Sequence, residues 1–147
     1  MAVITLTDTC LSVCLSVLSA LEVEFVEVTQ GQESVQLPFH TADLPQDVSV
    51  EWRLKDMKVH VYKVGENQPD QQEEDYRGRT EMNEKPLRTG DLSLRLKHLQ
   101  LTDSGVYTCT VYNKDGHMLL QKSVTLSIRG ECNRCLHIIC VQHVRTC

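Results

Sequence analysis

The feature that most narrows the folds open to this chain is a short period. Apolar residues alternate with polar ones in brief runs, and glycine or proline interrupts the chain between them. Val35-Gln-Leu37-Pro-Phe39, Val48-Ser-Val50-Glu-Trp52, Leu92-Ser-Leu94-Arg-Leu96, Val106 to Val111 and Val124-Thr-Leu126-Ser-Ile128 all carry this pattern. A side-chain period of two sets successive residues on opposite faces of a strand, so each run can bury one face and wet the other. Gly65, Gly78, Gly90, Gly105 and Gly116, with Pro45, Pro69 and Pro86, punctuate these runs, which is the rhythm of an all-β sandwich or barrel. Pro, Gly or β-branched residues break every candidate helix, so helix is expected only as single turns, near Gln100 to Ser104. At 147 residues, 41% of them apolar and 5% aromatic, the chain supplies one modest core and hence one main domain.

Two local signals sharpen the topology. Tyr112-Asn113-Lys114-Asp115-Gly116-His117 lies between two strand-like runs, and Asp-Gly supplies the positive φ of a tight hairpin, which makes the flanking segments antiparallel neighbours. Leu101-Thr-Asp103-Ser-Gly105-Val-Tyr107-Thr-Cys109 leads from a turn into a strand with Tyr two residues before Cys. That is the tyrosine-corner arrangement of immunoglobulin sandwiches, in which the phenol hydroxyl bonds back to the backbone at the corner.

Trp52, Arg79 within Tyr76-Arg-Gly-Arg-Thr80, and Asp103-x-Gly105-x-Tyr107-x-Cys109 together resemble an immunoglobulin V-set domain. Val59-His-Val-Tyr62, followed after a charged insert by Tyr-Arg-Gly-Arg-Thr-Glu81, is similar to the butyrophilin and myelin-oligodendrocyte-glycoprotein group. The resemblance covers about Val28 to Ile128. It implies a two-sheet antiparallel sandwich with Phe39, Trp52, Leu94, Tyr107 and Cys109 in the core, and a salt bridge between Arg79 and Asp103 closing its bottom. It also implies a second core cysteine thirteen or so residues before Trp52, where this chain has Phe39. No core disulfide is then expected. Instead the Phe39 ring should lie across the sandwich toward Cys109 and Trp52, leaving Cys109 a buried, inert thiol.

Alternation assigns directions. With Val50 and Trp52 inward, Glu51 and Arg53 point out; with Val59 and Val61 inward, His60 and Tyr62 point out. With Tyr107, Cys109 and Val111 inward, Thr108, Thr110 and Tyr112 are exposed, and Lys114 and Asp115 sit at the hairpin tip. The resemblance makes this front sheet the surface that pairs with another such domain, and two tyrosines near an arginine are the kind of anchor interfaces favour.

The ends read differently. Thr9 to Leu21, TCLSVCLSVLSAL, is too short to span a membrane and fits a signal-peptide core, giving a leader over 1–20, a domain over 21–129 and a disordered cysteine-rich tail over 130–147. A leader that is cleaved removes Cys10 and Cys14. In the tail, Cys132-x2-Cys135 with Cys140, Cys147, His137 and His143 could be drawn as a zinc site, but pairing among these thiols, or with another chain, suits an oxidising compartment better. The apolar stretch Leu136 to Val141 is too short to span a membrane.

Charge and motif content exclude other classes. Fifteen Lys and Arg against twenty Asp and Glu, a net charge of −5 with acids crowded from Glu66 to Asp75, leaves no footprint for nucleic acid. That acidic run lacks the glycine and alternating oxygen ligands of a calcium loop. No nucleophile elbow, phosphate loop or zinc helix is present, so no enzyme, metal or cofactor is expected. The expectation is a secreted or cell-surface protein-binding domain whose partner is another cell-surface protein with an immunoglobulin-like domain. Through the resemblance, it implies T-cell regulation and cytokine production. A homophilic adhesion module or homo-oligomer, and a truncated decoy, stay open as alternatives.

Overall fold

A computed structural model describes residues 23–66 and 71–130. They form eight strands: β1 (Glu24–Thr29), β2 (Ser34–Leu37), β3 (Val48–Leu54), β4 (Met57–Lys63), β5 (Thr80–Glu81), β6 (Leu94–Lys97), β7 (Gly105–Asn113) and β8 (Met118–Arg129). A five-stranded sheet in the order β1-β8-β7-β3-β4 faces a three-stranded sheet in the order β2-β6-β5. Every pairing between these strands is antiparallel except β1 with β8. The architecture is thus an all-β two-layer sandwich, and no helix among the described residues is long and apolar enough to cross a membrane.

The period-two pattern produces the core directly. Along β3, Val48, Val50, Trp52 and Leu54 are buried while the residues between them are not. Leu37, Leu94 and Leu96 from the smaller sheet, and Tyr107, Cys109, Val111 and Val124 from the larger, are buried against them. Trp52 is fully buried, and its indole Nε1 donates to the Leu92 carbonyl at 2.9 Å, tying the large sheet to the segment that enters β6. A buried indole N–H needs such a partner. Phe39 meets Trp52 edge to face, with ring centroids 6.4 Å apart and planes at 87°. The backbone of Phe39 is held on both sides, its N–H donating to Ser93 Oγ at 3.1 Å and its carbonyl accepting from Leu92 N at 2.8 Å. Lys122 stands opposite Cys109 and so faces inward. Its Nζ lies 5.6 Å from the Phe39 ring centroid and 3.1 Å from Glu24 Oε2. Cys109 is a free, buried thiol, and desolvation pushes its ionisation well above the ordinary cysteine range.

Just before β7 the chain turns through a 3₁₀ turn, Leu101–Asp103. Tyr107 Oη donates to the Asp103 carbonyl at 2.7 Å. The Asp103 carboxylate, 2% exposed, accepts from Arg79 and from the backbone N–H of Gln100 at 2.8 Å. The Arg79 guanidinium also donates to the carbonyls of Asp75 at 3.0 Å and His98 at 3.2 Å, and stacks 5.4 Å over the Tyr76 ring. Each partner of this ion pair is therefore multiply hydrogen-bonded, the condition for a buried charge pair to be tolerated. Two further single turns occur, Glu74–Tyr76 and α1 (Pro86–Thr89). The hairpin between β7 and β8 turns on Asn113, whose Oδ1 accepts from the N–H of Asp115 and His117, and on Gly116 at φ 82°.

The β3–β4 ladder carries a bulge. Between Trp52↔His60 and Arg53↔Lys58 the register advances two residues on β4 for one on β3. His60 thereby joins the inward side, where its Nδ1 lies 2.9 Å from the hydroxyl of buried Thr80. Burial lowers its pKa from the ordinary histidine value.

Three outcomes follow. Phe39→Ala removes the ring between the sheets and should cost about 3–5 kcal/mol in chemical denaturation. Asp103→Ala leaves the Arg79 guanidinium without its carboxylate and should cost about 3–5 kcal/mol by the same measurement. Because His60 binds its proton less readily folded than unfolded, its share of stability is complete above its unfolded pKa of about 6.5 and is lost as pH falls below it. Denaturation midpoints across that window should fall less steeply in His60→Gln than in the parent chain.

Candidate binding face

The outward face of the five-stranded sheet is a lattice of cross-strand rows set by register. Arg53 sits between Thr108 on β7 and Lys58 on β4; Glu51 sits between Thr110 and Val61; Ser49 sits between Tyr112 and Lys63. On β8 the rows continue through Ser123, Gln121 and Met118. One carboxylate organises the centre. Glu51, whose side chain is 13% exposed, takes Arg53 Nε on one oxygen and has Lys58 Nζ 3.6 Å from the other. The hydrogen bond to Glu51 raises the Arg53 pKa further still, so this cation is permanent. Thr108 Oγ1 and Ser123 Oγ lie 3.1 Å apart in the neighbouring row. The margins are apolar. Val106 and Phe25 flank Thr125 in a single row and are 51% and 61% exposed, and Met118, opposite Tyr112, is 59% exposed. The face therefore combines a satisfied charge cluster with exposed apolar edges, a composition able to be desolvated by a partner.

Seven of the residues expected here from alternation are placed by the structure as follows. Glu51, Arg53, Thr108 and Tyr112 lie on the outward face, and Lys114 and Asp115 are exposed in the hairpin. Thr110 points outward but is only 5% exposed, which corrects its expected exposure: its short side chain sits mid-sheet between the longer Glu51 and Gln121.

His60 and Tyr62 are corrections of direction. They stand opposite Trp52 and Val50, so both face inward, and Val61, expected inside, shares the outward face with Glu51. The bulge is the cause, since one extra residue in β4 inverts the alternation beyond it. Lys58, Val61, Gln121, Ser123, Phe25 and Val106 belong to the face and were not expected there. The alternation of β8 was a usable signal for Ser123 and Gln121. No local signal marked Phe25 and Val106, because apolar residues are expected to turn inward.

The expected leader over 1–20 and all of the tail after Gly130, with Cys132, Cys135, Cys140 and Cys147, fall outside the described residues. Among the described residues, no cluster of three or more His, Cys, Asp or Glu is arranged to hold a metal ion.

Known proteins are similar to this chain over the sandwich. The chain is 39% identical over 71 residues to the rat V-set domain-containing T-cell activation inhibitor 1, covering 47% of this chain and 25% of that protein. It is 37% identical over 51 residues to human myelin-oligodendrocyte glycoprotein, covering 35% of this chain and 21% of that one. It thus spans about a quarter of the length of these curated relatives. Among solved structures, the human B7-H4 IgV-like domain superposes with a TM-score of 0.59 at 26% identity, over 75% of this chain and 94% of that one. The family model for the immunoglobulin V-set domain matches residues 23–129. With the tyrosine corner, the closing ion pair and the two-sheet topology in place, the chain belongs to the immunoglobulin V-set family.

Proposed function

We propose that this chain acts outside the cell, secreted or at the cell surface, by docking the outward face of its five-stranded sheet onto another cell-surface protein with an immunoglobulin-like domain. The process it serves is regulation of T-cell activation and cytokine output. The observation that carries this reading is the face itself: Arg53 and Tyr112, exposed apolar residues at the margins, and a central carboxylate already neutralised by two cations. Likeness to a V-set T-cell activation inhibitor supports the biological setting. Binding, not catalysis, is the role that fits a flat sheet surface.

A multimer of the full chain should stain activated T cells. Tyr112→Ala and Arg53→Ala should each weaken staining by roughly fivefold or more, the scale of an interface residue whose truncation costs over 1 kcal/mol. Gln36→Ala, exposed on the opposite sheet, should leave it unchanged. Staining that is absent, or indifferent to both front-sheet changes, contradicts the proposal. Self-association in sedimentation that Tyr112→Ala abolishes, without cell staining, would replace it with the homophilic reading.

A further inference from the structure

Beside the hairpin end of the front sheet, a separate depression of about 530 Å³ opens where the end of β4 meets the turn before β6. Tyr62 and Leu87 pack against the core and supply its apolar floor, extended by exposed Val64. Lys85 and Arg88 stand exposed around it, with Asp47 as the one acid in the lining. The volume is within the range of formed ligand clefts. It lies apart from the front-sheet rows, because the β4 bulge turns Tyr62 away from that face and toward the inner side.

The support of this site is rigid. Pro86 is buried, and Thr89 Oγ1 donates to the Lys85 carbonyl at 3.1 Å. Gly90 closes α1 at φ 71°, and Thr41 N donates to its carbonyl at 2.9 Å. A Cβ at Gly90 would come 2.1 Å from the Thr41 carbonyl oxygen, so only glycine permits this approach of the two loops. The turn carrying Lys85, Leu87 and Arg88 is clamped before any ligand arrives, which reduces the entropy lost on binding.

Lys85 and Arg88 form no ion pair among the described residues, and neither do Lys55, Arg95 and Lys114, but of these five only Lys85 and Arg88 line the depression. Two such cations around an apolar floor, on a chain of net charge −5, call for a ligand that is locally anionic and apolar at once. We propose that this depression binds an acidic peptide segment of a protein partner, with a hydrophobic side chain on Tyr62, Val64 and Leu87 and carboxylates on Arg88 and Lys85. Arg88 can take a carboxylate by two parallel hydrogen bonds. An anionic sugar fits less well, because its hydroxyls would meet an apolar floor.

The test is a titration of the isotope-labelled full chain, followed by nuclear magnetic resonance, with a capped hexapeptide alternating glutamate and phenylalanine. The expected shifts cluster at the amides of Tyr62, Val64, Leu87 and Arg88 and weaken as salt rises. Lys85→Glu with Arg88→Glu should reduce affinity by roughly tenfold or more without moving the thermal midpoint, since both side chains are exposed. Should the double variant melt lower, Arg88→Glu alone gives the same readout. A hexapeptide alternating lysine and phenylalanine should give no shifts here. The proposal is overturned by absence of shifts with the acidic peptide, by equal shifts with the basic one, or by unaltered affinity in the charge reversals. It is also overturned if a sulfated hexasaccharide, and not the acidic peptide, perturbs these amides. Tyr112→Ala should leave this titration unchanged, which separates its failure from failure of the front-sheet reading.

Discussion

The rest of the sandwich depends on one contact between its layers, the T-shaped packing of the Phe39 and Trp52 rings. V-set resemblance places a disulfide at this point, bridging to the residue that is Cys109 here. A bridge closing a loop of that length would contribute roughly 4 kcal/mol by constraining the unfolded chain. Burying a phenylalanine contributes about 1.5–3 kcal/mol, and an edge-to-face pair adds about 0.5–1.5 kcal/mol. The aromatic plug thus accounts for most of the loss. Lys122 extends the same logic, because its ammonium over the ring uses the Phe39 π-face, which a disulfide would not present. The substitution shifts stabilisation from the unfolded state to packing in the folded one.

Two fixed points orient the sheet that carries the binding face. In the middle of the sheet, the Trp52 indole and the Phe39 backbone both bond to the Leu92–Ser93 segment, which locks β3 to the smaller sheet. Beside it, Tyr107, Asp103 and Arg79 join the start of β7 to the chain between β4 and β6. β3 and β7 are therefore pinned in two adjacent inward rows, Trp52 with Cys109 and Leu54 with Tyr107, and they supply Glu51, Arg53, Thr108 and Tyr112. A rigid pair of central strands lets a flat face act as a recognition surface without an ordering cost. By contrast, the clamped turn at Gly90 presents a concave site beside it.

Legibility in the sequence followed locality. The strands β2, β3, β6, β7 and β8 could be read because each has one clean buried side, and the tyrosine corner because it is a contact within five residues. Thr110 shows where that reading stops: its direction is local, but its depth depends on how long Glu51 and Gln121 are. β4 failed in direction, since Met57 to Lys63 alternates acceptably in either phase and the bulge that chooses is set by pairing with β3. β1 was not anticipated because Glu24, Val26 and Val28 turn inward while Phe25 turns out, with the Glu24 charge answered by Lys122 from a strand nearly a hundred residues later. The Tyr62–Leu87 depression was invisible for the same reason, being made by loops far apart in sequence that meet through Gly90 and Thr41 and through His40 and Asp91.

The central claim is that an aromatic contact, with no sulfur bridge, keeps this core closed. Pulse alkylation of the native chain across a guanidinium series, with peptide mapping of Cys109, tests it directly. The account predicts a Cys109 peptide carrying a free thiol, unlabelled in the folded protein and labelled only through one cooperative transition. Cys109 recovered in a disulfide, or alkylated without denaturant at the rate of an exposed thiol, would contradict it.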